Sequence, residues 1–304
     1  MESRKKKGGG RMDTGEIIAK VRKIEIKTKK MVDELTGGAY HSVFKGRGIE
    51  FSEVREYTLD DDVRDIDWNV TARTNIPHIK KYNEERELTV ILAVDISAST
   101  FFGSSGISKR EKMTEAAALL ALSAIRNNDK VGLLLFTDET ELFLPPRSGK
   151  PHVLRLIREM VCTEGRKKKT DIGKALETLA EVLKKKAVIF LISDFMDEKD
   201  YEKSLKIVAG KHDLVALRVL DEKELVLPEI AASVHLCDPE TGEELSFSFT
   251  SANRERFRQQ AESFADRCKE ICRKGKVDMV DVRCGEDLVK PLMNFFRTRE
   301  KHNH

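Results

Sequence analysis

The sequence has 304 residues, 40% of them hydrophobic and 35% charged, a balance that suits a globular chain and is too apolar for general disorder. The formal net charge is +3, and residues 1–30 hold eleven Lys/Arg against four Asp/Glu while the remainder is slightly acidic. That placement argues against a nucleic-acid-binding domain, which concentrates basic charge on its folded part.

Residues 1–14 contain Lys5-Lys6-Lys7-Gly8-Gly9-Gly10 and read as a flexible basic tail. Residues 15–87 form an N-terminal module. In it Ile17, Val21, Ile24, Met31 and Leu35 recur at helical spacing, predicting one or two basic amphipathic helices that end at Gly37-Gly38. Residues 88–285 alternate between element types. Continuous apolar runs at Leu88–Val94, Val131–Phe136, Ala187–Ile192 and Leu214–Val219 predict buried strands, with Ser233–Cys237 a short fifth and Val277–Val282 the last. Between them Glu111–Arg126, Val153–Met160, Ile172–Leu183, Tyr201–Ala209 and Asn253–Arg273 carry helical patterns. Strands apolar on both faces, separated by helices, predict a Rossmann-like doubly wound α/β fold with a mostly parallel sheet. Residues 286–304 read as a C-terminal helix and tail. No apolar run approaches the ~18 residues of a membrane span, and the basic N-terminus lacks a signal's apolar stretch. The expectation is a cytoplasmic protein without stable membrane insertion. Its five cysteines are odd in number and irregularly spaced, so reduced thiols are expected; Cys268 and Cys272 lie one helical turn apart but lack the further ligands of a zinc site.

Ligands of open α/β sheets bind beyond the carboxyl ends of strands. There the chain places Asp95-Ile96-Ser97-Ala98-Ser99, Thr170-Asp171 and Ser193-Asp194-Phe195. Each residue alone is explained as a cap or turn former. Together Asp95, Ser97, Ser99, Thr170 and Asp194 make an all-oxygen set of low charge, suited to one hard divalent cation, Mg²⁺ or Mn²⁺. The basic run Arg166-Lys167-Lys168-Lys169 directly precedes Thr170. It reads as a solvated loop, or as a rim that steers an acidic partner surface.

These three segments resemble the metal-ion-dependent adhesion site of von Willebrand factor A domains. The resemblance implies direct ligation by Ser97, Ser99 and Thr170, water-mediated ligation by Asp95 and Asp194, and a position left for a partner's carboxylate. A second set of motifs is Gly46-Arg47-Gly48-Ile49-Glu50-Phe51, Arg55-Glu56-Tyr57, Asp61-Asp62-Val63-Arg64-Asp65-Ile66-Asp67-Trp68, Ala72-Arg73 and Glu84-Glu85-Arg86. With Asp129-Lys130-Val131-Gly132-Leu133, Ser193-Asp194-Phe195 and Asp238-Pro239-Glu240-Thr241-Gly242, it resembles the bacterial domain-of-unknown-function family 58, over about residues 17–285. Asp60 stands where the family usually has Gly, and the transmembrane helices of many members are missing, so the chain is similar to the short soluble branch. That resemblance implies partnership with a MoxR-type AAA+ ATPase acting on other proteins. The Arg55/Arg64/Arg73 and Asp61/Asp62/Asp65/Asp67 segment is expected to be an ion-pair lattice with Trp68 in a core, rather than a binding surface.

Enzyme readings fail on named residues. Ser97 stands where a haloacid-dehalogenase-like phosphatase needs its second Asp. The chain has no phosphate-binding G-x-x-x-x-G-K-[ST], no G-x-G-x-x-G after a strand, no G-x-S-x-G and no H-E-x-x-H. No catalytic residue is assigned. The expected function is metal-dependent protein–protein interaction, and the alternative is a Mg²⁺-dependent hydrolase or phosphatase at the same site.

Overall fold

The computed structural model describes residues 14–36, 49–58, 61–84, 87–165, 169–229, 233–237 and 244–303. The basic tail through residue 13, Gly37-Gly38, Gly46–Gly48, Asp60, Glu85-Arg86, Arg166–Lys168 and Asp238–Gly242 lie outside them. Helix α1 (Thr14–Thr36) is followed by strand β1 (Ile49–Glu56), the short helix α2 (Trp68–Thr74) and strand β2 (His78–Glu84), which pairs antiparallel with β1. The alternating part then runs β3 (Thr89–Asp95), α3 (Lys109–Arg126), β4 (Lys130–Phe136), β5 (Thr140–Arg147), α4 (Lys150–Cys162) and α5 (Ile172–Val182). It continues with β6 (Val188–Ser193), α6 (Glu202–Lys211), β7 (Asp213–Leu220), β8 (Ser233–Cys237), β9 (Glu244–Ser248), α7 (Ser251–Gly275), β10 (Asp278–Arg283) and α8 (Val289–Asn303).

Six strands form one sheet in the order β10-β7-β6-β3-β4-β5, parallel except where β5 runs antiparallel to β4. The period-2 side-chain alternation of strands builds the two core layers. Val90, Leu92 and Val94 of β3 face one side, with Val131 and Leu133 of β4 and Phe190 of β6, and are covered by α1, α3, α4 and α8. Ile91 and Ala93 face the other, with Leu134 and Ile189, under α5, α6 and α7. This is the doubly wound arrangement expected from the sequence. α3 is almost entirely buried, and its Ala116-Ala117-Ala118 run brings it close to the sheet. Its start is set by a capping box, in which Ser108 accepts the Glu111 N–H and Glu111 returns to the Ser108 N–H. From β3 the chain moves one way through β4 to β5, then returns to lay β6, β7 and β10 on the other side. The direction therefore reverses between β3 and β6, where such sheets leave a crevice at the strands' carboxyl ends.

Two local expectations are corrected and one strand is added. Ser233–Cys237 forms a separate antiparallel ribbon with β9 instead of joining the main sheet. Its alternating Ser-Val-His-Leu-Cys pattern suits a one-sided ribbon, unlike the continuous apolar runs of the central strands. An edge strand, β5, adds to the predicted set; its Pro145-Pro146 are tolerated at an edge, where no further strand needs the missing N–H. Trp68 is 68% exposed rather than in a core, because it opens α2, a helix with no buried residue. Around it the carboxylates divide their work. Arg55 pairs bidentately with Asp61, while Asp62 and Asp67 cap the helical turns that follow them.

His212 follows α6 with its ring buried, and neither ring nitrogen has a hydrogen-bond partner among the described residues. Burial, with Lys211 adding to it, holds its pKa below the ordinary value. The unfolded chain therefore takes up a proton as pH falls through about 6.5, before the folded chain does, and stability drops below that pH. Denaturant melts at several pH values should show this slope in the wild type and a flatter one in His212→Leu. Equal slopes would remove His212 as the cause.

Candidate metal centre

β3 ends at Asp95, and that residue's side chain builds the turn that follows. Asp95 Oδ1 accepts the Ser97 N–H at 2.9 Å, and Thr100 Oγ1 donates to the Ser97 carbonyl at 2.7 Å, winding residues 98–101 into a 3-10 turn. The turn brings Ser97 Oγ and Ser99 Oγ to 3.1 Å, and Ser99 Oγ donates to Asp194 Oδ2 at 2.9 Å. Asp95, Ser97, Ser99 and Asp194 thus form one cluster across the ends of two neighbouring strands, buried except for the half-buried Ser99. Thr170 is buried just before α5. That segment is tied to two strand ends: the Asp171 N–H donates to the Thr137 carbonyl beyond β4, and the Ile172 N–H to Asp197 Oδ2 beyond β6. Lys169 is exposed.

The turn after β6 aims Asp194. Phe195 sits in the left-handed region at φ 60° with its side chain fully buried, a conformation that bulky residues adopt only where surrounding structure imposes it. Ser193 Oγ accepts the Phe195 N–H at 2.9 Å and donates to Asp95 Oδ2 at 2.6 Å, so one hydroxyl fastens both strand ends. Asp194 Oδ1 accepts the Met196 N–H at 3.0 Å.

Sequence reasoning missed Lys109. Its fully buried ammonium lies 2.6 Å from Asp194 Oδ2 and 2.5 Å from Glu224 Oε1. Burial would lower its pKa, but Asp194 and Glu224 outweigh burial and hold it above the ordinary value, so the group is charged. A sequence signal existed. Lys109 and Arg110 open a helix, where the backbone dipole disfavours cations, so they need partners elsewhere. A second clamp lies alongside. The Ser104 N–H and Oγ donate to Asp221 beyond β7, at 2.8 and 2.5 Å. The bend that delivers Ser104 requires glycine before it, because a Cβ on Gly103 would stand 2.3 Å from the Ile107 carbonyl oxygen.

Ser97 Oγ and Ser99 Oγ are hydrogen-bonded at 3.1 Å, a length close to the ~3.0 Å edge between neighbouring oxygens of an octahedral cation, so the pair could take a cation with little movement. Asp95 adds a need for positive charge. Burial, and next the charge of Asp194, push its carboxyl up to about 6, and it forms no ion pair among the described residues. Its hydrogen bonds to Ser193 and Ser97 oppose the shift only in part. The donor set therefore fits a hard divalent cation. The cysteines do not compete for this role. Cys268 and Cys272 are buried in the core of α7, and the described residues contain no cluster of three or more His, Cys, Asp or Glu suited to a metal.

The model of a family described as "Protein of unknown function DUF58" matches residues 53–267. The uncharacterized protein Rv1480 of Mycobacterium tuberculosis is 28% identical over 294 residues, covering 96% of this chain and 92% of its own. Among solved structures, the conserved hypothetical protein BatB of Bacteroides thetaiotaomicron aligns with a TM-score of 0.49 at 19% identity, over 70% of this chain and 99% of its own. Proximal thread matrix protein 1 of the mussel byssus, described with a zinc-occupied MIDAS motif, aligns with a TM-score of 0.38 at 12% identity, over 70% of this chain and 47% of its own. No helix among the described residues is long and apolar enough to cross a membrane.

Proposed function

The chain belongs to the DUF58 family, and from that footing we propose that it is a metal-dependent protein–protein interaction module. The observation that carries this reading is the cluster of Ser97, Ser99 and Asp194 oxygens at the strand ends beside Asp95, a buried carboxylate with no ion-pair partner among the described residues. Ser97, Ser99 and Thr170 would hold the cation directly, and Asp95 and Asp194 through water. Mg²⁺ or Mn²⁺ suits these neutral hydroxyls, and bound there it supplies an electron-poor centre for one carboxylate of a partner protein. The partner class implied by the family resemblance is a MoxR-type AAA+ ATPase.

Three neutral hydroxyls offer little charge, so calorimetry on the isolated chain should give one Mg²⁺ or Mn²⁺ per molecule with a dissociation constant of about 0.1–1 mM. A pull-down with and without EDTA tests the function, with retention of the ATPase expected only when metal is present. Thr170→Ala should melt within about 1 kcal/mol of wild type, since a single hydroxyl contributes little more. It should nonetheless lose metal-dependent retention. A sharp drop in melting temperature with retention unchanged would make Thr170 a structural cap.

Arg166, Lys167, Lys168 and Lys169 are proposed to steer the acidic partner. Charges at a rim act on association rate and its salt dependence more than on dissociation. Replacing Lys167, Lys168 and Lys169 with Ser should slow association and flatten its dependence on ionic strength, as read by stopped flow. An unchanged rate and salt slope would reduce the run to a solvated loop.

A further inference from the structure

The first turn of α3 is a wall shared by two spaces. Lys109 turns its ammonium to Asp194, while Ser108 and Arg110 line a separate cavity of about 490 Å³ beneath α1 and the end of α4. Two segments lining this cavity also carry residues of the candidate centre: Phe101 belongs to the turn that carries Ser99, and Arg110 follows Lys109.

The cavity's lining has two characters. Ile24, Ile107, Met160 and Val161 make it apolar in part. Lys27 is bound to Glu115, and the remaining charges are Lys20, Lys23 and Arg110 against Glu111 and Glu164, one more cation than anion, with the exposed Lys20 and Lys23 side by side on α1. Arg110 is buried. Its Nη2 donates to the Met160 and Thr163 carbonyls, its Nη1 has no hydrogen-bond partner among the described residues, and the opposing charge acting on it is that of Asp95. Phe101, at the cavity's rim, and the next residue Phe102 are 62% and 43% exposed, the kind of aromatic anchor that concentrates binding energy at interfaces.

We propose that this cavity is the anchor pocket of the recognition surface and takes a bulky apolar side chain from an acidic segment of the partner protein. Acidic neighbours of that side chain lie along Lys20 and Lys23, and another carboxylate of the same segment reaches the metal centre. The inference rests on the metal-dependent reading above and adds the partner's chemistry: an acidic segment carrying an apolar anchor, rather than a lone carboxylate.

The probe is a fluorescein-labelled peptide alternating Glu and Leu over about twelve residues, which extends to roughly 40 Å. Two control peptides carry Ser for every Leu or Gln for every Glu. Anisotropy titrations use the full chain in Mg²⁺ and in EDTA. Replacing Leu by Ser in the peptide, or filling the cavity with Val161→Trp, should weaken binding about tenfold or more, the effect of losing an interface anchor. The variant Lys20→Glu/Lys23→Glu lies on exposed positions of α1 and leaves the core intact; it should weaken binding and reduce its salt dependence. Binding that vanishes in EDTA but ignores both protein variants overturns the pocket and leaves the metal reading standing. Binding that survives EDTA but falls with both variants supports the pocket and overturns the metal reading. No binding up to about 1 mM peptide, or equal binding of the Ser peptide, overturns the inference.

Discussion

Replacing Lys109 with Met is expected to lower the free energy of unfolding by about 3–5 kcal/mol in metal-free buffer, the range for removing one partner of a buried ion pair. The ammonium is fully buried between Asp194 and Glu224, and its loss leaves both carboxylates facing an uncharged side chain. The same change should tighten Mg²⁺ binding, because it removes a positive charge from beside a carboxylate proposed to bind metal through water. The variant should therefore gain more melting temperature from added Mg²⁺ than the wild type does. Adding Glu224→Gln should recover only part of the lost stability, since it removes one of the two stranded carboxylates and leaves the more deeply buried Asp194 unpaired. Calorimetric melts of the single and double variants with and without Mg²⁺ check both signs. A Lys109→Met protein that melts like wild type would show that the buried bridge contributes little.

Asp95→Asn should act in the opposite direction on stability. Asp95 is buried and pushed up to about 6, chiefly by burial and then by Asp194, so its charged form is a cost to the fold at neutral pH. As pH falls from about 6 toward the ordinary 3.9, the folded chain takes up this proton first and the cost fades. Asn keeps an acceptor for the Ser97 N–H and carries no charge. The metal-free variant should be more stable by about 1–3 kcal/mol at pH 7.5, with a flatter stability profile between pH 6 and 4. Its Mg²⁺ binding should disappear from calorimetry. A residue whose removal stabilises the fold while abolishing the function is the expected signature of a site kept for chemistry. Mg²⁺ binding equal to wild type would take Asp95 out of the centre.

The sheet was legible because its central strands are buried on both faces. Thr89–Asp95 and Val188–Ser193 are nearly continuous apolar runs, and no other element of that length accommodates them. The candidate residues were legible because Asp95 and Asp194 mark strand ends at a fixed place in this topology. Lys109 and Glu224 were not, because a Lys in Ser-Lys-Arg-Glu-Lys reads as solvated charge. Only folding brings Lys109 to Asp194 and Glu224, 85 and 115 residues further along. Ser193 was seen as part of a motif, yet its fastening of Asp95 to the Phe195 turn depends on strand pairing that composition does not encode. Trp68 failed for a different reason: size suggested a core, while its position at the head of a helix with no buried residue decided otherwise.

The two borders of the main sheet limit how other chains can attach. On β5, Pro145 and Pro146 lack the N–H groups that an added strand would need. On β10, Asp278, Asp281 and Arg283 are exposed, and Arg299 and Arg218 hold the first two. Charges and prolines along an edge discourage strand addition, the commonest way a sheet recruits a foreign peptide or an identical neighbour. With its flanks discouraging backbone docking, the sheet offers other chains side chains and loops rather than an open edge. The same borders leave it a poor template for edge-to-edge aggregation when the chain is concentrated.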